Sequence, residues 1–229
     1  MSRRAAEAEI AKGNVTVNGA TATLGQKIDP EVDIVEYNGK RVCMPTGQKI
    51  CIMLNKPRRI VTTSSDEKGR TDVTDLCRDV RDDTGKSIRL YPIGRLDMDS
   101  DGLLLLTNDG ELANKLTHPR HSIPKIYHVA LGGVLSEQEV ESLGSPIVID
   151  GKETAPVTVK KLSQSNNTTI AEFELYEGRN RQIRRMCDSH GVKIQKLTRV
   201  AIGNINLGTL PVGKWRKLKE DEIKYLKEC

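Results

Sequence analysis

The residues best suited to chemistry lie between Pro92 and Gly110, in the run PIGRLDMDSDGLLLLTNDG. Asp97, Asp99 and Asp101 alternate there, and Gly102 follows. Asp-x-Asp-x-Asp-Gly is how an EF-hand calcium loop begins. Here, though, Asn108 occupies the place of the closing bidentate glutamate, and a leucine run fills the ligand positions. An Asp-x-Asp pair for metal-assisted phosphoryl transfer or hydrolysis usually follows an apolar strand, whereas this one precedes it, and no Walker-type glycine-rich loop is present. In a third reading Gly94-Arg95-Leu96-Asp97 is a tight turn that presents one carboxylate at the mouth of a buried strand. Asp99, Ser100 and Asp101 are then turn formers leading into that strand. Spacing alone favours a plainer version, in which Asp97 is only another turn former.

A second concentration is cationic: Glu177-Gly178-Arg179-Asn180-Arg181-Gln182-Ile183-Arg184-Arg185-Met186. If Arg181 to His190 is a helix, Arg181 and Arg184 share a face and Arg185 lies about 100° round from Arg184. Aromatic residues make up only 3% of the chain, so few flat side chains are available to line a site. The five cysteines form no C-x-x-C pair, which argues for reduced, mostly buried thiols and against a zinc site or disulfide framework.

The elements that must position these groups are mainly strands. Ile50 to Leu54 is a buried-strand run stopped by Asn55-Lys56-Pro57, and Leu103 to Thr107 is another. Glu111 to Leu116 reads as a short helix closed by His118-Pro119, and Ile126 to Leu131 as a strand. Residues 156–162 and 168–176 pair across Ser165-Asn166-Asn167. Two strands, Ile194 to Val200 and Ile205 to Leu207, precede a charged helix over residues 219–228. Residues 62–72 read as a polar loop. Short helices without regular strand–helix alternation predict an α+β fold with a largely antiparallel mixed sheet. Residues 1–44 form a small module of their own: a helix capped by Ser2, then strands punctuated by Asn18-Gly19 and Asn38-Gly39. Residues 45–48 are the linker and residues 49–229 the larger domain.

Four segments in order carry a resemblance. Gly94-Arg95-Leu96-Asp97 with the following Gly-Leu-Leu-Leu-Leu-Thr-Asn-Asp-Gly resembles the catalytic signature of the bacterial rRNA pseudouridine synthases that modify single uridines of the small or large subunit. Lys125-Ile126-Tyr127-His128-Val129 resembles the tyrosine strand of that family, and residues 177–186 resemble its basic motif. Residues 2–42 are similar to its N-terminal αL RNA-binding module, which normally opens with a further helix before Ser2-Arg3-Arg4, so a module short of its first helix is expected. The resemblance implies that Asp97 is the catalytic aspartate, that Tyr127 stacks on the target uracil, and that Arg184 faces Asp97. An ionised carboxylate in a buried site needs such a cation. Arg179, Arg181 and Arg185 are expected at RNA phosphates, Lys56 and Arg95 at RNA backbone near the site, and Arg3 and Arg4 in the N-terminal module. The implied reaction isomerises one uridine, with large-subunit rRNA favoured over small, and needs no metal or cofactor.

Composition agrees with that class and rules out others. The chain has 229 residues, 37% hydrophobic and 29% charged, enough for a packed core and too apolar for wholesale disorder. The net charge of +5 suits a polyanionic partner. No apolar run approaches the ~20 residues of a membrane span, and no signal peptide opens the chain, so a cytoplasmic protein is expected. The resemblance implies a structured rRNA stem-loop as partner, and a monomer is the default for an enzyme that docks on a large RNA. The rival reading is a non-catalytic rRNA-binding or ribosome-assembly factor.

Overall fold

The computed structural model describes residues 1, 3–43, 47–63, 69–118 and 123–229, and the chain divides into two compact units, Met1–Gly47 and Gln48–Cys229. The expected Ser2 cap, Pro119 of the His118-Pro119 stop and most of the expected linker fall outside the described residues, as do residues 64–68 of the polar loop.

In the first unit, α1 (Arg3–Ala11) precedes four short strands: β1 (Val15–Val17), β2 (Ala20–Thr21), β3 (Val35–Tyr37) and β4 (Lys40–Arg41). They form an antiparallel sheet in the order β2-β1-β3-β4. Asn18-Gly19 and Asn38-Gly39 turn its two hairpins with positive φ at both residues, the geometry that Asn-Gly favours. Among its described hydrophobic residues only Val17 and Ala22 are buried, so little of their apolar surface is withdrawn from water.

The second unit is built on a nine-stranded sheet. Its strands are β5 (Cys51–Lys56), β6 (Tyr91–Ile93), β7 (Asp101–Thr107), β8 (Lys125–Gly132), β11 (Thr158–Ser165), β12 (Thr168–Leu175), β13 (Ile194–Ile202), β14 (Ile205–Asn206) and β15 (Trp215–Lys217). A separate two-stranded ribbon joins β9 (Val148–Ile149) to β10 (Lys152–Glu153). The main path runs β11-β12-β8-β13-β7-β5-β15, and the β13–β7 pairing is parallel while the others are antiparallel. The fold is α+β, as the sequence predicts.

The leucine run explains itself in β7. Leu103 and Leu105 point into a core shared with α2 (Gly110–Thr117) and α5 (Glu220–Glu228), while Leu104 and Leu106 point into the opposite core with Val73, Val80, Leu90 and Leu96. A strand buried on both faces has no polar alternation. On the other side of β13, α3 (Glu137–Ser142) and α4 (Gln182–Ser189) cover the core of Val129, Phe173 and Leu197. The parallel contact admits one residue type at position 102. Gly102 has φ +104°, and a Cβ there would lie 2.2 Å from the Arg199 carbonyl oxygen. Asp101 belongs to β7 and is buried, so the expected turn is shorter by one residue than the sequence suggests.

No helix among the described residues is long and apolar enough to cross a membrane. The cysteines are free; Cys51, Cys77 and Cys187 are buried, and burial pushes each thiol up to about 12.

Candidate active site

Between β6 and β7 the chain reverses through Gly94-Arg95-Leu96-Asp97, with Gly94 at φ +73°. The turn is fastened from below and from the side. Leu96 is buried in the core, its carbonyl accepts a hydrogen bond from Thr62 Oγ1 (2.7 Å), and its N–H donates back to that hydroxyl (3.3 Å). Ser100 N–H donates to the Asp97 carbonyl (3.1 Å), and Arg59 N–H donates to the Met98 carbonyl (2.6 Å).

Lys56 completes the fastening, and here the structure corrects the sequence. Expected at RNA backbone or on the surface, Lys56 is fully buried, with 0% exposure. Its ammonium donates to the carbonyls of Ser100 (2.9 Å), Asp97 (3.0 Å) and Pro57 (3.1 Å). Three N–H groups meet three carbonyls, so the side chain is a clip on the turn. Burial lowers its pKa to about 8, against the opposing pull of Asp101, Asp97 and Asp99.

So held, Asp97 projects into a cleft of about 310 Å³ with a side chain 31% exposed. The cleft also brings Arg95, Tyr127, Arg181 and Arg184 together, on an apolar lining that includes Leu175, Ile183 and Leu197. Tyr127 comes from β8. Ile183, Met186 and Cys187 are buried on the core face of α4, which turns Arg184 toward the cleft.

The ion pairs differ from the expectation. Arg184 Nη2 reaches the Asp99 carboxylate (3.3 Å), the Asp99 carbonyl (3.2 Å) and Ser100 Oγ (3.3 Å). Its Nε is buried with no hydrogen-bond partner among the described residues. The cation at the Asp97 carboxylate is Arg181 Nη1 (3.5 Å), which also reaches Asp99 (3.3 Å). The reason is local: Arg181 precedes α4 in the left-handed region, at φ +52°, which brings its side chain to the turn. Asp99, read from sequence as a turn former, is thus the anchor for two guanidinium groups. Asp101 is engaged elsewhere, accepting from Thr198 Oγ1 and lying 3.8 Å from Lys196 Nζ.

Two further arginines are already committed. Arg179 donates to Glu177 (3.1 Å) and to the carbonyls of Lys152 (2.8 Å) and Glu153 (2.7 Å), so its guanidinium braces β10 instead of standing free for a phosphate. Arg185 pairs with Asp150 (3.1 Å) and Asn180 (3.3 Å), outside the cleft lining. Arg95 is exposed at the cleft. Arg3 and Arg4 are exposed on α1 of the first unit.

Sequence reasoning missed Arg199. It is buried on β13, opposite Tyr127 in register, with Cζ 6.0 Å from the Tyr127 ring centroid. Its Nε donates to the Leu103 carbonyl (2.7 Å). An arginine inside the apolar pattern Leu197-Thr-Arg-Val-Ala-Ile202 is the signal that could have found it.

Residues 50–189 match the family described as RNA pseudouridylate synthase. The chain belongs to that family. This synthase is 40% identical over 229 residues to the ribosomal large subunit pseudouridine synthase B of Bacillus subtilis, covering 99% of this chain and 90% of that one. It is 38% identical to an uncharacterized RNA pseudouridine synthase of Aquifex aeolicus, covering 98% of this chain and 88% of that one. It is also 38% identical to a dual-specificity RNA pseudouridine synthase of Shigella flexneri, covering 97% and 72%. A crystal structure of a pseudouridylate synthase superposes with a TM-score of 0.69 at 27% identity, covering 99% of this chain and 94% of that one. The synthase is accordingly an isomerase acting on RNA, and the rival reading of a binding factor without catalysis falls away.

Proposed function

We propose that this synthase converts one uridine of large-subunit rRNA, presented in a structured stem-loop, to pseudouridine, with Asp97 as its essential carboxylate. The observation that carries the catalytic part is the convergence of Asp97, Tyr127, Arg181 and Arg184 on one cleft. The large-subunit part rests on the name and near-full-length match of the Bacillus subtilis relative.

The reaction breaks the N1–C1′ bond, turns the uracil and joins C5 to C1′. It needs a carboxylate at the ribose, acting at C1′ as nucleophile or at C2′ as base, and both roles require the ionised form. Arg181 bridges Asp97 and Asp99 and sets a guanidinium beside the reacting carboxylate. Arg184 braces the turn through Asp99 and Ser100. The target base must leave its stack, and Tyr127 is the flat surface that receives it. Arg95 is exposed to meet backbone phosphate, and Arg3 and Arg4 supply cations for RNA binding by the first unit. The enzyme works as a monomer in the cytoplasm, where rRNA is available to it.

Carbodiimide mapping of rRNA from cells with and without the gene tests this reading. One large-subunit pseudouridine should disappear when the gene is lost. An unchanged large-subunit map would refute it.

A further inference from the structure

The chain leaves β5 through Pro57-Arg58-Arg59-Ile60, a turn that lies directly against the Asp97 turn. Arg59 N–H donates to the Met98 carbonyl (2.6 Å), and Lys56 ties the Pro57 and Asp97 carbonyls to one ammonium. That seat puts Arg59 at φ +67°, where a side chain is disfavoured and glycine fits without strain. The residue is nonetheless an arginine. Strained backbone at the edge of a site persists when the side chain it carries has a use.

Among the described residues the side chain has no partner. Arg59 and its neighbour Arg58 are exposed, and among the described residues neither side chain makes a hydrogen bond or ion pair. At the site Arg181 and Arg184 are partnered by Asp99 and Arg179 by Glu177, while Arg95, like Arg59, is exposed. The Met98 to which Arg59 is bonded lines a second hollow of about 580 Å³ on the flank of Asp97, together with Arg70, Arg95 and Arg181. A cation without a partner among the described residues, on a turn hydrogen-bonded to Met98 of an arginine-lined hollow beside Asp97, suits a polyanionic backbone.

We propose that Arg59 binds a backbone phosphate of the RNA next to the target uridine, and that its strained conformation is retained for that contact. The proposal rests on the reading of Asp97 as the reacting carboxylate. Asp97 faces the sugar of the target nucleotide, and Arg59, one turn away along the protein surface, faces the neighbouring phosphate. The contact contributes to holding the RNA and not to the bond-making step, so it raises affinity uniformly.

The test is Arg59→Gly beside Arg59→Lys, with large-subunit rRNA transcribed in vitro as the probe. Each protein is melted, its RNA affinity is followed against salt, and its turnover is measured. Arg59→Gly should melt at or above the wild-type temperature while its salt slope becomes shallower by about 0.7–0.9 and KM rises with kcat held. Arg59→Lys should keep the slope. An Arg59→Gly protein with unchanged slope and KM overturns the phosphate contact. One that melts below wild type overturns the claim that strain is retained there. Asp97→Asn assayed alongside keeps the two readings apart: turnover in that variant would remove Asp97 from its role while leaving the measured Arg59 slope in force.

Discussion

Replacing Lys56 by methionine tests how the Asp97 turn is held. The substitution keeps most of the stem volume and removes the ammonium that meets the Pro57, Asp97 and Ser100 carbonyls. Charge-assisted hydrogen bonds contribute about 1.5–3 kcal/mol each, and a buried carbonyl that loses its partner costs about 1–3 kcal/mol. The Asp97 carbonyl keeps the Ser100 N–H, so the main losses are at Pro57 and Ser100. Removing a buried ammonium returns several kcal/mol of desolvation, so the net destabilisation should be about 2–3 kcal/mol. Chemical denaturation measures it directly. The turn should also loosen, and a displacement of about 1 Å at a reacting group can cost about a hundredfold in rate. Folded Lys56→Met, verified by near-ultraviolet circular dichroism, should therefore show kcat lowered by one to two orders of magnitude with KM changed little. Wild-type kcat in that folded variant would refute the idea that Lys56 positions Asp97.

The same lysine predicts a pH effect. Its pKa is about 8 in the fold against an ordinary 10.5, so between those values the unfolded chain binds more protons and wild-type stability should gain on Lys56→Met as pH rises. Denaturant melts of both proteins at pH 7 and pH 9.5 check the sign; a gap that moves the other way contradicts the assigned burial. Gly102→Ala should destabilise by about 3 kcal/mol because its Cβ meets the Arg199 backbone, whereas Gly94→Ala, with open space around it, should cost about 1–2 kcal/mol for its positive φ alone. Equal melting shifts would refute the close β13–β7 approach as the cause. Chelator should leave turnover unchanged, since Asp97, Asp99 and Asp101 are each faced by a cation or hydroxyl of the protein; loss of activity with chelator that returns on adding metal would favour the hydrolase reading of the three acids.

Much of the fold was legible because its signals are local. The apolar runs of β5 and β7, the Asn-Gly hairpins, and the periodic face of α4 each announce themselves within a few residues. α3 was missed although Ser136 and Glu139 form a capping box, because the helix is only six residues long. Short edge elements such as β6 and β15 owe their form to the neighbours they pair with. At the site the limit was long-range geometry. Nothing near Lys56 in sequence says that three carbonyls surround it, since two of them belong to a turn some forty residues on. Arg181 and Arg184 share the basic motif, and only the left-handed backbone at Arg181 decides which of them meets Asp97. Asp99 looked like Asp101 in sequence, yet one anchors two arginines and the other closes β7 against Thr198.

The most direct measurement is turnover and RNA binding by Asp97→Asn. The amide is nearly isosteric with the carboxylate, and the backbone clips on the turn do not use the side chain, so the fold and the RNA affinity should persist. The account predicts no detectable pseudouridine in large-subunit rRNA after prolonged incubation, with affinity within a few-fold of wild type. Pseudouridine formed at the wild-type rate by Asp97→Asn would contradict it.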